Sequence, residues 1–157
     1  MNVKIDLEQL KQYLEGCSKE SKIYLGADSE RILVDGVWHV DYMVCVIIHI
    51  NSKHGGKIFA SIERERDYDA KLSRPKIRLM NEVIKVANLY LECADLLDGF
   101  DVSIHLDINP LPIYGSSCAH GEAIGLIKGM TGLDPVTKPN SWAASNCAHS
   151  VKRLLKS

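Results

Sequence analysis

The strongest constraint on the fold is an unbroken alternation of apolar residues between positions 38 and 50. Every second residue there is apolar: Trp38, Val40, Tyr42, Val44, Val46, Ile48 and Ile50. Residues two apart lie on the same face of a β-strand, so the pattern predicts a long strand with one buried face. It is the clearest strand signal in the sequence.

Two shorter alternations flank this strand and predict two more strands. One covers residues 23–27 and the other covers residues 58–62. A turn signal at Asp35-Gly36 and a loop at residues 54–56 separate the three segments. Strands joined by short turns in this way form an antiparallel meander.

After Pro75 the pattern changes to the period of a helix. Over residues 76–97 the polar positions form one face, namely Arg78, Asn81, Lys85, Asn88, Glu92 and Asp95. Most of the other positions are apolar, which predicts a long helix that packs on the sheet and stops before Gly99. The next alternation, at Val102, Ile104, Leu106 and Ile108, predicts a fourth strand.

Four further segments complete the predicted order of elements. They are a helix at residues 6–16, a helix at about 116–130, a short fifth strand near 136–138 and a last helix from about 140 to 155. Behind the N-terminal helix the order is β-β-β-α-β-α-β-α. It predicts an α/β fold with a mixed five-stranded sheet and helices on both faces, which is the order of the ribonuclease H-like fold.

Length and composition agree with one globular domain. The chain has 157 residues, of which 46% are hydrophobic and 25% charged, so it can bury a sizeable core. We expect a single domain over residues 1–157, with residues 1–20 as a helical extension. The formal net charge of −1 lacks the basic excess of a protein that coats nucleic acid, but it leaves a nuclease with an acidic site open.

The cysteines and the first residues indicate a reducing compartment. The five cysteines are scattered singly without a C-x-x-C pair, which argues against a zinc knuckle or a secreted disulfide framework. Residues 1–6 lack an apolar signal core, and no apolar run is long enough to span a membrane. We therefore expect a cytoplasmic protein with no membrane partner.

Two aspartates fall at the ends of the first and fourth predicted strands. Asp28 points away from the apolar side of the first strand, and Asp107 does the same on the fourth. If these strands are neighbours, the two carboxylates lie close enough to share a divalent ion, and Mg²⁺ and Mn²⁺ prefer oxygen ligands. The alternative is that each aspartate only caps a strand end or begins a turn.

Glu82 is a third candidate because it lies on the flank of the long predicted helix. It is in line with the apolar residues Leu79, Val86, Leu89 and Cys93, whereas Glu92 sits in the middle of the polar face. A carboxylate on an apolar stripe needs a partner, and a metal ion is one. The alternative is an ordinary ion pair with Arg78 or Lys85.

Several sequence strings resemble the YkuK-like family, which is described as ribonuclease H-related. The strings are G-A-D-S at 26–29, N-E-V at 81–83, H-L-D-I-N-P at 105–110, the segment 125–129, and K-P-N-S-W-A-A-S at 138–145. The resemblance covers nearly all of the chain after residue 20. It implies a metal site formed by an aspartate on the first strand, a glutamate on the first fold helix and an aspartate on the fourth strand, which are Asp28, Glu82 and Asp107 here.

The sequence departs from this family at one position. The family pattern has an acidic residue shortly after the W-A-A-S string, where this chain has His149. Histidine is also a ligand of Mn²⁺ and a proton carrier, so we expect His149 to be a fourth metal ligand and catalytic residue. A surface histidine on the last helix is the alternative.

These residues predict a metal-dependent nuclease. The expected reaction is two-metal hydrolysis of a phosphodiester bond in RNA, DNA or an RNA–DNA hybrid, with Mg²⁺ or Mn²⁺ as cofactor. Ser29, Asn109 and Lys138 are expected to contact the nucleic acid. The alternative is a binding module that keeps the ribonuclease H-like fold without catalysis.

Overall fold

The predicted meander and long helix are present in the structure, a computed structural model that describes residues 2–50, 56–68, 76–111, 113–143 and 146. In these ranges the elements are α1 (Leu7–Glu15), β1 (Lys22–Val34), β2 (Val37–His49), β3 (Gly56–Arg66), α2 (Lys76–Leu97), β4 (Asp101–His105), a 3₁₀ turn (Gly115–Ala119) and α3 (His120–Thr131). No helix among the described residues is long and apolar enough to cross a membrane.

The turn between β1 and β2 forms where the sequence predicts it. Asp35 and Gly36 both have positive φ, at 49° and 78°. A two-residue turn of this kind matches the right-handed twist of the strands it joins. It sets the register of a hairpin that runs from Val34 opposite Val37 to Lys22 opposite His49.

The four strands form one mixed sheet in the order β3-β2-β1-β4. The meander is antiparallel, and β4 pairs with β1 in parallel, as predicted. The paired residues run from Lys22 opposite Asp101 to Gly26 opposite His105. Because β1 has 13 residues and β4 has only 5, β1 continues past the end of β4.

The prediction of five strands is wrong for the part of the chain that the structure describes, which has four. The segment expected to be the fifth strand makes a single parallel bridge between Val136 and His105. Its hydrogen bonds to the chain after β4 are strand-like, with Leu106 N–H to Val136 O at 2.8 Å and Lys138 N–H to Ile108 O at 3.0 Å. Pro135 and Pro139 bracket the segment, and proline has no N–H to extend such a ladder.

The main core lies between the sheet and the three described helices. It joins α1, α2 and α3 to the apolar residues of β1, β2 and β4, including the fully buried Leu10, Ile23, Leu25, Val86, Ile104 and Ile127. All three helices therefore pack on one face of the sheet. Asp6 caps α1 by accepting hydrogen bonds from Glu8 N and Gln9 N, at 3.0 and 3.2 Å.

A second, smaller core lies on the opposite face. Met43, Cys45 and Ile47 are buried there together with Ala143, and Trp142 packs against them. Trp142 and Ala143 belong to the start of the predicted last helix, most of which lies outside the described residues. The structure therefore confirms helices on one face of the sheet, and the helix expected on the other face stays a prediction.

Candidate functional site

Asp28 and Asp107 lie just beyond the last paired residues of two adjacent parallel strands. The pairing of β1 with β4 ends at Gly26 and His105, and each aspartate is two residues further along its chain. Side chains alternate between faces along an extended chain, so both aspartates belong to the face of Gly26 and His105. Asp28 therefore lies inside β1 rather than at its end as predicted, level with Asp107, which follows the end of β4.

Asp28 has an unusual electrostatic environment. Burial is the main cause that raises its pKa to about 6, and the nearby charge of Asp107 raises it further. A hydrogen bond from Ser29 N to Asp28 Oδ1, at 2.8 Å, and the charges of Arg78 and Lys138 act in the opposite direction. The fold thus holds the Asp28 carboxylate half-buried and near a second carboxylate.

Glu82 approaches the same place from α2. Its side chain is buried, whereas Glu92 on the same helix is exposed, as the predicted helix phase requires. Burial raises the pKa of Glu82 well above its ordinary value, and the charges of Asp28 and then Asp107 add to the effect. Three carboxylates from β1, α2 and the chain after β4 therefore share one electrostatic environment.

Ser29 links two of these carboxylates. Its N–H donates to Asp28 as described above, and its hydroxyl donates to Glu82 Oε2 at 2.5 Å. The alternation along β1 explains this, because Ser29 points to the helix side of the sheet and Asp28 to the other. In the structure the Ser29 hydroxyl holds Glu82, and the predicted contact of Ser29 with substrate stays a prediction.

Two cations lie among the acids. Lys138 Nζ is 2.6 Å from Asp107 Oδ1, and this hydrogen bond is the main cause that raises the pKa of Lys138. Arg78 lies within electrostatic range of Asp28 and Glu82. Lys85, the other partner considered for Glu82, instead pairs with Glu63 at 2.8 Å and also with Glu65.

The three carboxylates are of the chemical type that binds a hard divalent cation, although they are not arranged around a single point. Carboxylate oxygens are the ligands that Mg²⁺ prefers. Among the described residues, however, no group of three or more His, Cys, Asp or Glu side chains is arranged to hold a metal ion. The two observations are compatible because charges act over longer distances than metal–ligand bonds, which are about 2.0–2.1 Å for Mg²⁺.

The other predicted site residues have different positions. Asn109 uses its side-chain oxygen locally, accepting from Leu111 N at 2.9 Å. The side chain of Lys138 is 47% exposed beside Asp107, so it is open to a second anionic partner. His149 lies outside the described residues, and its predicted role as a fourth ligand stays a prediction.

Sequence reasoning identified one further residue around the site only in part and missed another. Arg78 was considered as an ion-pair partner of Glu82, and in the structure its charge acts on both Glu82 and Asp28. His105 is buried, and its Nδ1 accepts hydrogen bonds from the N–H groups of Trp142 and Ala143 at 3.1 and 3.3 Å. It joins the H-L-D-I-N-P string to the W-A-A-S string, a contact between distant segments that no local pattern reveals.

Comparison with known proteins gives one result that bears on this site. A model of the family described as Ribonuclease H-like matches residues 6–153. No curated protein and no solved structure matches the chain. The family match supports a nuclease-like or nucleic-acid-binding fold. Because it spans nearly the whole sequence, the chain belongs to the ribonuclease H-like family.

Proposed function

We propose that the chain is a metal-dependent nuclease that hydrolyses phosphodiester bonds of RNA, DNA or an RNA–DNA hybrid. The observation that carries the proposal is the electrostatic coupling of Asp28, Glu82 and Asp107 in a chain of the ribonuclease H-like family. Raised carboxyl pKa values are typical of sites that bind a cation or move protons. Residues that only cap strand ends or begin turns would not require three carboxylates whose charges act on one another.

We assign the carboxylates as the ligands of Mg²⁺ or Mn²⁺, with a pair of ions as the expected arrangement. When bound, such ions activate water and stabilise the negative charge that develops on the phosphate. Asp28 supplies an oxygen ligand from β1, Asp107 supplies one from the chain after β4, and Glu82 supplies a third from α2. The hydroxyl of Ser29 keeps Glu82 in place through its hydrogen bond to Oε2.

Lys138 has a part in this proposal that follows from its present partner. Its ammonium pairs with Asp107 and is half exposed. A phosphate oxygen is also an ionised, charge-assisted acceptor, and it arrives from the exposed side. We propose that Lys138 transfers its hydrogen bond from Asp107 to the phosphate when nucleic acid binds, which frees the carboxylate to act as a ligand.

A second candidate function is a nucleic-acid-binding module without catalysis. The ion pair of Lys138 with Asp107 favours it, because the ammonium neutralises a carboxylate in the way that a metal ion does. So does the lack of a ready metal-holding group among the described residues. In this case the acids and cations form a permanent structural network.

Thermal unfolding and cleavage measured together separate the two functions. The protein is unfolded in EDTA, Mg²⁺ or Mn²⁺, and labelled RNA, DNA and RNA–DNA hybrid are incubated with it under the same conditions. A nuclease shows a metal-dependent rise in Tm, since a ligand that binds only the folded state stabilises it, and it shows cleavage only with metal. A binding module shows neither effect but still retains the oligonucleotides.

A further inference from the structure

A patch of exposed apolar side chains stands beside the carboxylates. It is made of Leu111, Ile113 and Tyr114, which are 56%, 83% and 48% exposed. Ile113 is the most exposed large hydrophobic residue in the described part of the chain. We call these three residues the apolar loop patch. Adjacent exposed apolar residues of this kind mark a surface that contacts a partner.

Hydrogen bonds at both ends hold the loop in place. Asn109 N–H donates to Ser116 Oγ at 2.9 Å, and Leu111 N–H donates to Asn109 Oδ1 at 2.9 Å. Further on, Tyr114 N–H donates to Leu111 O and Ser117 N–H donates to Tyr114 O, both at 3.1 Å. The patch is therefore presented by a braced loop, which reduces the entropy lost when a partner binds.

The position of the patch ties it to the site. The loop begins two residues after Asp107, and the backbone of Ile108 accepts a hydrogen bond from Lys138 N at 3.0 Å. The side chain of Lys138 lies between the two features, paired with Asp107 and within electrostatic range of Tyr114. A negatively charged group at Lys138 would thus have an apolar aromatic surface next to it.

We propose that the apolar loop patch binds unstacked bases of single-stranded nucleic acid, with Tyr114 as the stacking surface and Lys138 as the phosphate contact. The inference rests on the proposed function, because it takes a nucleic acid as the ligand of the neighbouring site. Each nucleotide has a phosphate, which a cation can bind, and a base face, which can stack on an aromatic ring. The neighbouring side chains of Lys138 and Tyr114 provide that cation and that ring. A base pair in a duplex hides its faces in the stack, so an exposed ring of this kind selects single strands.

Equilibrium binding in EDTA tests the inference without any cleavage. Fluorescence anisotropy compares a labelled single strand of about 12 nucleotides, within the usual range of single-strand sites, with a duplex of the same sequence. We expect wild type to prefer the single strand, and Tyr114→Ala to bind it about tenfold more weakly, as loss of one stacked base predicts. Tyr114→Trp should restore binding, which a merely structural role of the residue would not explain.

Tyr68 provides a matched control, since it is also an exposed tyrosine, at 69%, and follows β3 at the opposite edge of the sheet from β4. Tyr68→Ala should leave binding unchanged. Equal binding of duplex and single strand, or unchanged binding by Tyr114→Ala, would overturn the inference. A loss of self-association in Tyr114→Ala, with oligonucleotide binding intact, would overturn it in favour of a second copy of the chain as the occupant.

Parallel cleavage assays in Mn²⁺ keep this inference separate from the proposed function. If Tyr114→Ala binds the single strand normally and still cleaves it, the stacking role is overturned and the proposed nuclease function is retained. Binding that depends on Tyr114 without any cleavage by wild type supports the patch and overturns the nuclease. Failure of wild type to bind any single strand overturns the patch whatever the cleavage result.

Discussion

The ammonium of Lys138 lies 2.6 Å from a carboxylate oxygen of Asp107, just beyond the point where the pairing of β1 with β4 ends. This contact places a cation of the protein against one of the proposed metal ligands. Under the proposed function, Lys138 and a metal ion therefore compete for Asp107. The same lysine is open on its other side to a phosphate, so its removal has opposite effects on the two ligands.

Replacing Lys138 by methionine should strengthen metal binding and weaken nucleic-acid binding. Loss of one nearby positive charge predicts roughly three- to tenfold tighter Mn²⁺ binding. Loss of one phosphate contact should make the negative slope of log K for nucleic-acid binding against log salt concentration less steep by about one. Calorimetry and anisotropy at several salt concentrations measure the two effects. Lys128→Met is the matched control, because Lys128 forms an exposed pair with Asp134 at 2.9 Å.

Asp28 should make the metal-free protein less stable as pH rises. Its folded pKa of about 6 lies above the ordinary value of 3.8, so the fold favours the protonated form. The stabilisation is complete below pH 3.8 and is lost as pH rises through about 6. The free energy of unfolding should fall by roughly 2–3 kcal/mol over this range, because each tenfold change in a protonation equilibrium is worth about 1.4 kcal/mol.

Asp28→Asn should reduce this pH dependence, to which buried Glu82 also contributes, and should stabilise the metal-free protein at pH 7.5. Asparagine keeps an oxygen that accepts the Ser29 N–H, so the local hydrogen bond survives. Urea unfolding in EDTA at several pH values between 4 and 8 measures the difference. A variant with the same pH profile as wild type would show that Asp28 is not the titrating group.

Glu82 and Glu92 offer a matched pair on one helix. Glu82→Gln should stabilise the metal-free protein, because a buried carboxyl with a raised pKa costs free energy when it ionises. It should also reduce the metal-dependent rise in Tm, since the amide is a poorer ligand than a carboxylate. Glu92→Gln, on the exposed face, should change neither quantity. Equal effects of the two substitutions would remove Glu82 from the site.

How well the sequence predicts a feature depends on how far apart in the sequence the interacting residues are. The bounds of α2 match the predicted residues 76–97, over which the apolar stripe of the sequence is continuous. The phase of that stripe also placed Glu82 correctly on the buried flank. The prediction of a fifth strand was wrong because Val136 lies between two prolines, which limit its ladder to a few hydrogen bonds.

The contacts that shape the site were beyond local patterns. The hydroxyl of Ser29 meets Glu82 across 53 positions of sequence, and Lys138 meets Asp107 only because the chain returns beside β4. Such partners are set by the register of distant segments, whereas periodicity reports only which face a residue occupies. The acidic residues and the nearby cations were therefore predictable as candidates, whereas the contacts between them were not.

His149 gives a prediction that rests on sequence alone. A neutral imidazole is an uncharged and softer ligand than a carboxylate, which should favour Mn²⁺ over Mg²⁺. Protonation removes its lone pair, so metal-dependent activity should fall as pH drops through the histidine pKa. Paired pH–activity curves of wild type and His149→Asp in both metals measure this. Unchanged metal preference and an unchanged acidic limb would remove His149 from the site.

The most direct measurement of the central claim is a cleavage time course with wild type and Asp107→Asn. A labelled single strand is incubated with each protein in Mn²⁺, with EDTA as the control, after circular dichroism shows that both are folded. We predict cleavage by wild type in Mn²⁺ that EDTA abolishes. The rate of Asp107→Asn should be lower by a factor of about 100 or more, as expected for loss of a metal ligand. Equal cleavage by the two proteins, or no cleavage by folded wild type of single strands, duplex or hybrid in either metal, would contradict the account.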